Sequence, residues 1–120
     1  MTKIIFYRSG GSFYGFEEQG HACYNENGDD VLCAALSAMT MLIINTIEVA
    51  YASDVDYDID ESATRIKVCS KSALPDFEDD ECKRYAVSGL FLSYFYQLND
   101  MVEEYYDYLE VDVVDKEYTE

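Results

Sequence analysis

Apolar and polar positions divide the chain into seven segments. Lys3 to Arg8 and Ser12 to Glu18 read as two strands, joined at Gly10-Gly11. A Gly-Gly pair supplies the positive φ angles that a tight hairpin turn requires. From Gly20 to Asp30 the chain is rich in Gly, Asn and Asp, the residues of a loop. Val31 to Ala52 is apolar on most sides, as expected of a helix covered on more than one side. Asp29 or Asp30 can cap it, because an aspartate oxygen accepts the open amide hydrogens of a first turn.

The second half repeats the scheme. Val55, Tyr57 and Ile59 alternate with Asp56, Asp58 and Asp60, the period-two pattern of a half-buried strand. Thr64 to Ser70 alternates likewise, with Ile66 and Val68 on one face, and Glu61-Ser62-Ala63 supplies the turn. Lys71 to Asp79 reads as a loop. A helix then starts near Asp79-Asp80-Glu81, with Val87, Leu90, Phe91, Tyr94, Phe95, Leu98, Met101, Val102 and Tyr105 at spacings of three and four. A strand from about Leu109 to Val114 closes the chain. The order β-β-α-β-β-α-β predicts a two-layer α+β sandwich, with two helices on one face of a largely antiparallel or mixed sheet.

At 120 residues the chain is long enough for one core, and a single domain over 1–120 is expected. The N-terminus lacks the charged-then-apolar pattern of a secretion signal. Ser37, Thr40, Asn45, Thr46 and Glu48 recur too often within Val31–Ala52 for a lipid-facing span. Four cysteines without a secretion signal suggest free thiols in a reducing, cytoplasmic setting. No CxxC pair occurs, which disfavours a structural zinc site, and no cofactor is expected. The net charge is −17, and acids outnumber bases in both halves. Such a surface repels nucleic acid and anionic lipid and attracts basic peptides.

The chemistry lies in Gly20-His21-Ala22-Cys23-Tyr24 and Gly28-Asp29-Asp30-Val31-Leu32-Cys33-Ala34-Ala35-Leu36-Ser37. His21, the chain's one histidine, precedes by 12 residues a cysteine placed in the first turn of a helix. A helix N-terminus stabilises a thiolate, and an imidazole can take the thiol proton and later return it to a leaving amine. Ser37 falls one turn beyond Cys33 on the same face, able to orient His21 or a substrate group. Asp30 suits a helix cap, or a partner for the imidazole. A histidine and a cysteine 12 apart need not meet in space, and Cys33 among apolar neighbours also fits a small core residue.

This double motif resembles the signature of the bacterial ribosomal-processing cysteine proteases. Both its residue types and the gap between its halves agree, and the order of elements extends the likeness over essentially the whole chain. The resemblance implies a homodimeric thiol protease that cuts the N-terminal extension from the precursor of a large-subunit ribosomal protein, supporting ribosome assembly. It places the catalytic histidine on His21 and the nucleophile on Cys33. Asp30 and Ser37 become supporting residues, and Gly20 and Gly28 the hinges of a mobile loop over about residues 20–30. The expected partner is a basic, apolar precursor peptide, with no nucleic acid, membrane or metal. Cys23 departs from the family pattern; it reads first as an inert, packed small hydrophobe, and otherwise as a thiol whose bridge to Cys33 under oxidation would silence the enzyme. Two other readings remain: a non-catalytic acidic module binding a basic ribosomal protein, and a zinc or redox site using His21, Cys23 and Cys33.

Overall fold

The computed structural model describes residues 1–20 and 29–119. Strands β1 (Thr2–Ser9) and β2 (Ser12–Gln19) form the first hairpin. Ser9 pairs with Ser12, so Gly10 and Gly11 alone make the turn, at φ +57° and +84°. Two consecutive positive φ angles are the geometry that twists with the flanking strands. A bulge at Tyr7/Arg8 offsets the register beyond it.

Helix α1 spans Asp29–Asn45 and widens into a π turn over Thr46–Ala50. It therefore begins two residues before the expected Val31, which puts both aspartates inside the first turn instead of at the cap. Thr46 donates its hydroxyl to the Leu42 carbonyl at 2.6 Å, a side-chain bond that competes with the helix ladder where the ladder widens. The chain leaves the helix at Ala52, φ +50°. The stretch Val31–Ala50 is long and apolar enough to cross a membrane by length and composition. Leu32, Leu36, Ile43, Ile44 and Ile47 are nevertheless buried in the protein's own core.

Strands β3 (Asp56–Asp60) and β4 (Arg65–Cys69) form the second hairpin. Its turn runs one residue further than expected, to Thr64 at φ +49°. The Asp60 carboxylate accepts from Ser62 Oγ at 2.8 Å and the Ala63 amide at 3.1 Å. A 3-10 turn at Lys71–Ala73 leads to helix α2 (Glu81–Tyr105) and strand β5 (Leu109–Asp115). Asp80 caps α2: its Oδ1 accepts from the amides of Cys82 at 2.9 Å and Lys83 at 3.3 Å. Asp80→Ala should lower stability by about 1 kcal/mol, the usual cost of an N-cap, measurable by urea denaturation.

The sheet order is β3-β4-β2-β1-β5, antiparallel except for the β1–β5 pair. Both helices lie on one face: Thr40 of α1 and Tyr94 of α2 reach the same side chain, Glu18 of β2. Phe6, Phe16, Phe91 and Tyr94 fill the space between, with Phe16 at 5.0 Å from Tyr94 and 5.7 Å from Phe6, ring centre to ring centre. Each such aromatic contact adds roughly 0.5–1.5 kcal/mol to simple area burial. This is the expected two-layer α+β sandwich. One expectation fails in detail. β3 is an edge strand, and Tyr57 and Ile59 remain 49% and 47% exposed. β3 lies two strands away from β2, the strand to which both helices are tied through Glu18.

Candidate active site

The end of β2 and the start of α1 build the site. Gly20 terminates β2 at φ +73°, and a Cβ there would stand 2.5 Å from the Met1 carbonyl oxygen. Both facts require glycine at this position. His21, Cys23 and Gly28 lie outside the described residues, as does the side chain of Asp30. Asp30 itself belongs to the first turn of α1.

Cys33 is the fifth residue of α1, one step deeper than a first-turn position. Helical Cβ atoms tilt toward the N-terminus, so its Cβ leans toward the first turn. Cys33 is 2% exposed. Ser37 is half-buried one turn further along, on the face that carries Cys33. The sequence motif is thus arranged along one helix face, ending at Thr40.

Thr40 fixes that face against the sheet. Its hydroxyl donates to Glu18 Oε1 at 3.0 Å, and the Tyr94 hydroxyl donates to the same oxygen at 2.7 Å. Thr40 therefore stands level with Glu18, near the end of β2. Cys33, seven residues earlier, projects about 10 Å beyond that level along the helix. It lies at the end of the sheet where Gly20 opens into the segment carrying His21. Cys33 and Gly20 thus stand toward one end of the sheet.

Glu18 is fully buried, and its Oε2 meets no hydrogen-bond donor among the described residues. Burial pushes its carboxyl up to about 7, against the lowering effect of the Tyr94 and Thr40 hydroxyls. Burial and the neighbouring Glu18 also raise the Tyr94 phenol. Sequence reasoning missed this cluster. Its signal was present in the alternation, since Glu18 shares its face with Phe16.

Among the described residues no group of His, Cys, Asp and Glu side chains is arranged to hold a metal ion. Cys33, Cys69 and Cys82 are thiols.

Known proteins share this fold. The crystal structure of SMU.848 from Streptococcus mutans superposes with a TM-score of 0.78 at 25% identity, covering 97% of this chain and 99% of that one. The ribosomal processing protease Prp from S. aureus, in complex with a substrate peptide, superposes at 0.72 with 18% identity, covering 97% and 100%. The same protease with a covalently linked product peptide gives 0.73 at 21% identity, covering 95% and 100%. No curated protein matches. The family model described as cysteine protease Prp matches residues 1–110, the span from β1 to the start of β5. The chain belongs to the cysteine protease Prp family.

Proposed function

We propose that this chain is a cytoplasmic, homodimeric cysteine endopeptidase that removes the N-terminal extension of a large-subunit ribosomal protein precursor. The observation that carries the reading is the placement of Cys33 near the N-terminus of α1, at the end of β2 that leads into Gly20-His21. In the proposed mechanism the Cys33 thiolate attacks the scissile carbonyl and His21 protonates the leaving amine. Water then hydrolyses the thioester. The open amides of the first turn of α1 can hold the oxyanion. Asp30 and Ser37 support His21 or the substrate, and Gly20 and Gly28 act as hinges of the loop between them. The S. aureus relative is a ribosomal processing protease seen with substrate and with covalently linked product peptide, which suits this chemistry. A net charge of −17 suits a basic precursor. Val31, Leu42 and Val49, 61–72% exposed along α1 and its π turn, suit the burial of this helix against a second copy.

A second reading has one observation in its favour. A cysteine only 2% exposed is also what an acidic binding module would carry as packing. The test is incubation with a precursor peptide spanning the extension. The peptidase is expected to yield two products from a single cut, read by mass spectrometry. Saturable binding of the intact peptide without a cut, together with Cys33 alkylation only on unfolding, would establish the binding module instead.

A further inference from the structure

A cavity of about 560 Å³ opens on the helix-free face of the sheet, at the end opposite the candidate active site. Tyr14 on its wall and Gly20 lie six residues apart on β2, roughly 20 Å at strand rise, and the sheet separates the two sites. Its outer wall is the C-terminal segment 116–119, fastened across the sheet. Tyr14 donates its hydroxyl to the Lys116 carbonyl at 2.8 Å, and the Lys116 amide donates to the Arg8 carbonyl at 2.9 Å. The family match ends at residue 110, before this segment begins.

The charges inside the cavity are unusual for this chain. Of its 33 charged side chains 25 are acidic. Lys3, Arg8, Arg65 and Lys83 are paired with carboxylates, and Arg84 donates to the Glu78 carbonyl. Lys67 and Lys116 are held differently. Both ammonium groups lie over the ring of Tyr7, at 5.6 and 5.3 Å from its centre. Lys67 has Glu17 and Asp58 as its cross-strand neighbours. Glu17 is engaged by the Gln19 amide, and Asp58 by Arg65 at 2.9 Å. Asp56, also on the wall, accepts from the Tyr118 hydroxyl at 2.9 Å. Glu117 adds a negative charge and Lys71 a positive one. Burial pushes the Cys69 thiol up to about 11, so the floor carries no thiolate.

We propose that this cavity binds a small organic phosphate, with Lys67 and Lys116 holding the phosphate over Tyr7. Two ammonium groups above one ring match a dianion better than a monoanion, and a phosphomonoester is close to a dianion at neutral pH. The cavity is far larger than a bare phosphate, and its volume falls in the range of small-molecule sites. The site stands on its own geometry and does not depend on the peptidase reading.

Calorimetric titration of the full chain with adenosine monophosphate, glucose 6-phosphate and phenyl phosphate tests it, beside inorganic phosphate and adenosine. At least one ester is expected to saturate at one per chain. Lys67→Met and Lys116→Met, which keep the apolar stem over Tyr7, should each weaken that ester about tenfold, since each removes one charge-assisted contact. Circular dichroism on both variants reports the fold. The proposal is overturned if no ester saturates, if both variants bind as the native chain does, or if inorganic phosphate binds as tightly as the esters. The last result would mean an adventitious ion only.

Discussion

Cys33→Ala is expected to lower precursor-peptide cleavage by roughly a thousandfold or more while leaving the protein folded, because in the proposed mechanism the bond to the substrate forms at sulfur. Alanine retains the helix: it is the strongest helix former, and Cys33 lies within the regular part of α1. Removing one buried sulfur costs about 1–2 kcal/mol of packing. The comparison is between cleavage rate and unfolding midpoint. Cleavage within a few fold of native, with the midpoint little changed, would remove Cys33 from the chemistry. His21→Ala should follow Cys33→Ala in rate, and the double variant should lose little more than either single one, because the two act as one unit.

Glu18→Gln should stabilise the protein at pH 8 by about 3 kcal/mol and change it little at pH 4. The Glu18 carboxyl is raised by burial to about 7, above its ordinary 4.5. Below 4.5 both folded and unfolded chains hold the proton, and the site is fully compatible with folding. Between 4.5 and 7 only the folded chain holds it, so stability falls as pH rises through this window. Above 7 the folded protein carries a buried carboxylate with two hydroxyl donors on one oxygen and none among the described residues on the other. A difference of about 2.5 pK units corresponds to about 3 kcal/mol. Glutamine keeps an oxygen for Thr40 and Tyr94 and cannot ionise. Urea denaturation of both proteins at pH 4 and pH 8 reads the effect, and comparing variants cancels the pH dependence of the many surface carboxylates. Equal differences at the two pH values would show that Glu18 does not titrate in this range.

Local patterns determined most of the elements. Gly10-Gly11 could make only a tight turn, and the two strands it joins are found at Thr2–Ser9 and Ser12–Gln19. The apolar stripe from Val87 to Tyr105 required a helix, and Asp80 marked its start with a side chain that can accept from open amides. These signals are legible because turns, caps and helix faces depend on residues a few places apart. The same holds for the motif around Cys33 and for Ser37, four residues along on one helix face. The helix start was less legible. Two adjacent aspartates offer two caps, and α1 begins on the first of them.

Tertiary structure alone decided the remainder. The alternation of β3 could not tell that the strand would lie at the sheet edge, where Tyr57 and Ile59 stay exposed. The parallel pairing of β1 with β5 joins residues more than a hundred places apart, and nothing local encodes that choice. The alternation puts Glu18 on the face of Phe16, but which side chains meet it there was decided only when both helices closed over β2 and made it the buried junction of three elements. Lys67 and Lys116 came together over Tyr7 in the same way, through the pairing of β4 with β2 and the return of the C-terminus across the sheet. A short-range pattern fixes which face a side chain occupies. What that face meets depends on which distant strands and helices pack against it, and their pairing is chosen by the burial of the whole core.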